Sequence, residues 1–147
     1  MNGVRGADEL CDRPATELAA LLAGAQLSAR ELLDAHQARI DAHNGALNAI
    51  VTFTPERAQA MAAAADEHLA RTGETLGPLH GLPVAHKDLA LVAGVRTTFG
   101  SPLFAEHVPD RDDLIVARLH QAGAVMVGRP TRPSSAPAPR PSTPCSA

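Results

Sequence analysis

Apolar residues recur at helical spacing in four stretches of this chain. We predict helices over residues 14–24, 28–45 and 54–73, and a fourth helix that ends at Gly123. The predicted inward positions are Leu18, Leu21 and Leu22; Leu32, Leu33, His36 and Ile40; Ala58, Met61, Ala62, Ala65 and Leu69; and Ile115, Leu119 and Ala122. Each helix is therefore expected to bury one face against a common core.

The boundaries of these helices carry their own signals. Ser28 and Glu31 have the spacing of a capping box, in which each side chain bonds the other residue's backbone N–H group. The other predicted starts are Pro14, Thr54 followed by Pro55, and either Asp110 or Asp112; the other predicted ends are Gly24, Asn44-Gly45 and Gly73.

Three short apolar runs, at 49–53, 83–85 and 125–128, lie between the helices and predict strands. Strands that alternate with helices are typical of α/β folds, in which many strand pairs are parallel. We therefore expect an α/β domain over residues 14–129, with a flexible segment at residues 1–13 before it.

Composition excludes several classes of protein. The chain has 147 residues, enough for one domain, and a net charge of −3 without a basic cluster, so we expect no nucleic-acid partner. No apolar run is long enough to cross a membrane, and residues 1–9 lack the apolar core of a signal peptide. Cys11 and Cys145 do not suggest a disulfide framework, so a cytoplasmic location is expected.

The chemically distinctive stretch is residues 77–88, Gly-Pro-Leu-His-Gly-Leu-Pro-Val-Ala-His-Lys-Asp. It predicts a tight turn, a short buried strand, and then Lys87 where that strand ends. A lysine at the end of a buried strand is costly unless it is paired or used, because burial disfavours its charged form. Without further information, such a Lys87-Asp88 pair is more often an ordinary surface ion pair worth less than about 1 kcal/mol.

This stretch resembles the pattern G-P-L-H-G-[IL]-P-V-x-x-K-D of the amidase signature family. The likeness continues through residues 93–101, 108–112, 116–119 and 122–125, and upstream segments at 28–32, 38–40 and 47–51 also agree. It covers residues 14–129 and implies the N-terminal part of the amidase-signature fold, with helices on an incomplete mixed or parallel sheet.

The resemblance also implies a chemistry. Family members hydrolyse carboxylic amides with a Ser-cis-Ser-Lys triad, and the lysine of that triad corresponds to Lys87. Both serines would lie beyond residue 147, so we expect a truncated chain that is inactive by itself. Ser101 matches a family Gly-Ser that is not the nucleophile. The implied substrate is a small-molecule amide, with no cofactor, and the implied relatives include the glutamine-hydrolysing component of tRNA-dependent amidotransferases.

Residues 130–147 have a different composition, rich in Pro, Ser, Ala and Arg, which predicts a disordered tail. A sharper hypothesis is a frameshift. If one base has been lost in the codon of Arg129, the DNA that encodes these residues could read T-N-T-P-E-F-G-A-G-S-Q-T-F-N-P-V-F-G in its other frame. That restored text is what the family resemblance implies at this place.

Two further interpretations remain open. His80 and His86 are close in sequence, but their spacing matches no closed zinc set and we expect no metal. The chain could also be a non-catalytic remnant or a module that binds a partner. A remnant would leave the strands around Val84 and Val125 with one exposed face, and such surfaces aggregate.

Overall fold

The computed structural model describes residues 7–130. Within that range there are five α-helices and three strands. The helices are α1 (Ala7–Cys11), α2 (Ala15–Ala23), α3 (Ala29–Leu47), α4 (Pro55–Thr72) and α5 (Leu114–Gln121), and the strands are β1 (Ile50–Phe53), β2 (Pro83–Ala85) and β3 (Val125–Pro130). A short 3-10 helix, Pro102–Phe104, precedes α5. The expected α/β arrangement is confirmed.

The three strands form one mixed sheet in the order β1-β3-β2. Strand β2 runs parallel to β3, and β1 runs antiparallel to it. Residues 125–129 of β3 are all buried. We expected one face of the Val125 strand to be exposed, and that expectation is wrong, because β3 is the central strand and is covered on both faces.

Alternate side chains of β3 enter two different apolar clusters, as the two-residue period of a strand requires. Val125 and Val127 pack with helices α2, α3 and α4 in the larger cluster. Met126 faces the other way and packs with Val92 and Val116 in a smaller cluster. The helical layer therefore covers one face of the sheet, and the loop after β2 together with α5 covers the other.

The capping signals are confirmed where they depend on local chemistry. Ser28 and Glu31 form both bonds of a capping box at the start of α3. Pro55 occupies the first turn of α4, and Gly73 ends that helix in the left-handed conformation with φ 72°. The Thr54 hydroxyl, however, makes no capping bond.

The predicted end of α3 at Asn44-Gly45 is wrong. The helix continues to Leu47, and Asn48 ends it with φ 48°. Asn44 instead holds the first residue of β1 with its side chain: Nδ2 donates to the Ile50 carbonyl at 2.9 Å, and Oδ1 accepts from the Ile50 N–H at 2.8 Å. This side chain therefore joins helix and strand.

The inner face of α5 also differs from the prediction. Ile115 is exposed, whereas Val116 is fully buried against the smaller cluster. Asp113 precedes the helix without making a side-chain cap. The carboxylates of Asp112 and Asp113 accept instead from the N–H groups of Ala93 and Leu91, both at 2.7 Å.

Part of the N-terminal segment expected to be flexible is helical. Residues 7–11 form α1, which packs on α3. The expectations for residues 1–6 and for the tail from 131 onward lie outside the described residues. Among residues 7–130 there is no helix that is both long enough and apolar enough to cross a membrane.

Candidate functional site

Lys87 lies two residues beyond the end of β2, and its side chain is exposed. Within residues 7–130 its ammonium group forms no hydrogen bond or ion pair. Lys87 therefore lies at the surface of the described chain, but the surface ion pair with Asp88 considered above does not form, because Asp88 bonds Thr98 and Arg129 instead. Strand β2 is an edge strand, so no further strand of the described sheet lies beside the segment from which Lys87 emerges. His86 is buried, in agreement with the alternation expected of an extended segment.

Close packing against α3 requires a glycine in the turn that precedes β2. Gly81 has φ 72°, and a Cβ atom there would lie 2.9 Å from the Ala29 Cβ. Its N–H group donates to the carbonyl of Gly123 at 2.9 Å. A side chain at Gly81 would therefore push the turn away from α3, which supports a shaping role for this glycine.

Asp88 is buried and accepts hydrogen bonds from two residues. Thr98 donates to it through its backbone N–H at 3.1 Å and through its hydroxyl, and Arg129 donates through Nε at 3.0 Å. Burial raises the pKa of Asp88, but the hydrogen bonds from Thr98 and the positive charge of Arg129 outweigh that effect and hold the pKa below its ordinary value. Asp88 is therefore a structural anion of the turn.

Sequence patterns do not single out Arg129 as a site residue. It is completely buried, and its Nη2 donates to the Lys87 carbonyl at 3.1 Å and to the Ala90 carbonyl at 2.7 Å. The available signal is a charged residue directly after the apolar run 125–128. A buried guanidinium must be paired, so such a position predicts a specific carboxylate or carbonyl partner.

A histidine pair lies on the buried side of the same turn. The Nε2 atoms of His86 and His120 are 3.3 Å apart, and His120 Nδ1 lies 3.5 Å from Asp112 Oδ2. Burial, followed by the neighbouring charge of His120, lowers the pKa of His86 to about 4. Burial also lowers the pKa of His120, against the opposing effect of Asp112. Both rings are therefore neutral near pH 7.

The remaining candidates have structural roles. Nδ1 of His80 accepts from the Leu76 N–H at 3.2 Å. The Ser101 hydroxyl accepts from the Leu103 N–H at 3.3 Å. In the part of the chain that the structure describes, no group of three or more His, Cys, Asp or Glu side chains could hold a metal ion.

A cavity of about 270 Å³ lies beside β2. Its lining is mainly apolar and comprises Cys11, Arg13, Ala15, Leu18, His36, Leu79, Leu82, Pro83 and Val84. Lys87 is not among these residues, so the cavity is separate from the lysine turn.

Comparison with known proteins identifies the family. The family model described as Amidase matches residues 31–145, and this chain belongs to that family. It is 43% identical over 118 residues to the A subunit of the glutamyl-tRNA(Gln) amidotransferase of Alkalilimnicola ehrlichii, covering 80% of this chain and 24% of that protein. It is 49% identical over 113 residues to the corresponding protein of Methylococcus capsulatus, covering 77% and 23%.

A solved structure of fatty acid amide hydrolase superposes on this chain with a TM-score of 0.84 at 25% identity, covering 89% of this chain and 23% of that one. The chain therefore spans about a quarter of the length of the relatives that it matches. This chain shares its family and its fold with these relatives.

Proposed function

We propose that this chain carries the lysine-bearing N-terminal part of an amidase-signature hydrolase, with Lys87 as the general base and no amide hydrolysis by the chain alone. The observation that supports this most directly is the exposed ammonium of Lys87 on a turn with fixed backbone, without a hydroxyl partner in residues 7–130. The match to about a quarter of the relatives' length agrees with this proposal.

The chemistry requires more groups than the described chain supplies. Amide hydrolysis needs a nucleophile, a base that takes its proton, and donors that stabilise the oxyanion. The family resemblance assigns the first role to a serine and places a second serine, in a cis peptide, between it and the lysine. A non-proline cis peptide costs about 3–4 kcal/mol, so a surrounding domain must hold it in place.

A lysine serves as a base near neutral pH only where burial or neighbouring groups favour its neutral form. A covering domain would contribute to this in two ways. It would exclude water from the ammonium, which disfavours the charged form, and it would bring a hydroxyl group within hydrogen-bonding distance. We propose that the segments carrying the serines supply both in the complete family enzyme.

Hydrolysis assays test the proposal. The purified 147-residue chain, incubated with glutamine, acetamide and benzamide, is expected to release no ammonia above the level of its Lys87→Ala variant. Ammonia release that depends on Lys87 would refute the claim of inactivity. If a complete form of the protein preferred glutamine to the simple amides, that preference would favour a component of an amidotransferase over a stand-alone amidase.

The proposed frameshift is tested by the coding DNA. Sequencing is expected to reveal codons after Arg129 whose second frame reads the family text, and codons that forbid this frame would end the hypothesis. Insertion of one base in the Arg129 codon should then yield a longer protein that hydrolyses amides. Loss of that activity in the Lys87→Ala form would support the proposed role of Lys87, and retention would refute it.

A non-catalytic remnant or partner-binding module is the second candidate. Both outer strands, β1 and β2, have an unpaired edge within the described sheet, and such edges readily pair with other chains. Light scattering and thermal melting distinguish the two forms. A remnant is expected to aggregate, whereas a module should be monodisperse and melt cooperatively.

A further inference from the structure

The backbone around Lys87 is held far more firmly than its side chain. The Ala90 N–H group donates to the Lys87 carbonyl at 3.0 Å and closes a turn over residues 87–90. Just before it, the His86 N–H donates to the Gly128 carbonyl of β3 at 3.1 Å, so the chain enters the turn bound to the central strand. This bond places the turn that carries Lys87 beside the residue that follows Gly128 in β3.

That neighbouring residue is Arg129, which contacts the turn at three acceptors. Its Nη2 bridges the carbonyl groups of Lys87 and Ala90, the first and last residues of the turn, and its Nε bonds the carboxylate of Asp88 between them. One planar guanidinium therefore fixes both ends and one side chain of the turn, and a lysine amine could not match this geometry.

Burial makes the loss of any of these contacts costly. The Arg129 side chain is 0% exposed, and that of Asp88 is 10% exposed. Asp88 is held in turn by Thr98, which joins the turn to the loop ten residues later. Loss of either partner of this buried ion pair is expected to be strongly destabilising, because it leaves the other charge buried and unpaired.

We propose that Arg129 is a positioning residue for Lys87, which it serves by clamping the turn of residues 87–90 so that the lysine projects from one fixed backbone conformation. This inference rests on the proposed function of Lys87 as a base. Arg129 does not touch the ammonium group; it acts through the Lys87 carbonyl and through Asp88.

The sequence offers a direct measurement of this clamp. Lys87 is the only lysine among the 147 residues, so a protease specific for lysine can cleave at one peptide bond alone, Lys87–Asp88. Cleavage requires the turn to open, and its rate follows the population of the open form when opening and closing are fast. The products, residues 1–87 and 88–147, are resolved by mass spectrometry at low protein concentration.

The test compares Arg129→Gln with Leu22→Ala in the full chain. Leu22 is buried in the helical layer and does not contact the turn, so its truncation destabilises the core without touching the clamp. We expect Arg129→Gln to be cleaved about 10- to 100-fold faster than Leu22→Ala at temperatures equally far below their melting midpoints, because it loses charge-assisted hydrogen bonds at the cleaved turn.

Equal cleavage of the two variants under these matched conditions would overturn the proposal, since Arg129 would then act only through global stability. Should Arg129→Gln fail to fold, Asp88→Asn provides the comparison, because it keeps the side-chain volume and removes the carboxylate charge that accepts from Arg129 Nε and from Thr98. Asp88→Asn cleaved no faster than Leu22→Ala would equally refute the clamp. None of these outcomes depends on amide hydrolysis, so a failure here is distinct from a failure of the proposed function.

Discussion

The two sides of the sheet differ in how completely they are covered. On the side of α2, α3 and α4, large aliphatic side chains such as Leu22, Leu32 and Leu33 are at most 1% exposed. On the other side, the segment 103–115 exposes five of the nine exposed large hydrophobic residues of the described chain, namely Leu103, Phe104, Val108, Leu114 and Ile115. The large aliphatic side chains on the helical side are therefore buried, whereas those of segment 103–115 are exposed to solvent.

A helical layer that buries its own apolar stripe can be stable without further chain, because hydrophobic burial is the main favourable term in folding. Exposed apolar side chains in one segment are typical of surfaces that other parts of a protein cover. We therefore expect the two sides to respond differently to mutation.

The largest contrast should come from truncating one residue on each side. Leu32→Ala removes a side chain that is 0% exposed and is expected to lower the free energy of unfolding by about 2–5 kcal/mol. Leu103→Ala, at a residue 90% exposed, should change it by less than about 0.5 kcal/mol. Urea unfolding followed by circular dichroism measures both, and similar losses would remove the distinction between the two sides.

Acid should weaken the sheet through the histidine pair. The pKa of His86 falls from 6.5 to about 4 on folding, so the unfolded chain binds the proton first. The contribution of His86 to the free energy of unfolding is therefore complete above pH 6.5 and is lost as the pH falls toward 4. This loss is at most about 3 kcal/mol. Unfolding measured between pH 7 and 4 should show this slope.

A His86→Asn variant is the control for that slope, because it removes the titrating ring. Asp88 contributes in a lower window: its lowered pKa stabilises the fold above pH 3.8, and that stability is lost below it. A wild-type slope between pH 6.5 and 4 that persists unchanged in His86→Asn would assign the effect to other groups.

A smaller effect is expected at the start of α3. Ser28→Ala removes the acceptor for the Glu31 N–H and should cost about 1 kcal/mol of unfolding free energy. Ser101→Ala is a matched control at a three-residue helix, where less structure depends on the cap. If Ser28→Ala cost no more than Ser101→Ala, the capping box would not be energetically important.

The smallest effect on stability should accompany a large effect on association. Replacing Leu114 and Ile115 by Gln removes two exposed apolar groups and should leave the melting midpoint nearly unchanged. Light scattering at rising concentration should show less aggregation than in the parent chain. Unaltered aggregation would indicate that the open edges of β1 and β2 cause the association instead.

Sequence patterns predicted those features that depend on neighbouring residues. The capping box, the proline at the first turn of α4, the left-handed Gly73 and all three strands could be predicted, because their causes lie within a few residues. The inner face of α5 could not be, because Leu114, Ile115 and Val116 are all apolar and only packing against the smaller cluster, which contains Val92 and Met126, decides which one is buried.

The contacts that position the site depend on residues far apart in sequence. Asp88 and Arg129 are 41 positions apart, and nothing local indicates that the carboxylate of one meets the guanidinium of the other. Lys87 itself could be predicted as a site residue through the family resemblance, but its exposure follows from the sheet ending at β2. Its assignment as a base stays a prediction.

The order of strands in the sheet has a consequence for synthesis. Of the three described strands, the middle one is the last to be translated, and it pairs Pro130 with Ile50 and Val125 with Pro83. Neither outer strand has a hydrogen-bonding neighbour in this sheet until β3 begins to leave the ribosome, so no pair of the described strands can form earlier. A nascent chain of this sequence is thus expected to occupy ribosome-associated chaperones until β3 emerges, and ribosome arrest before that point should prolong their binding.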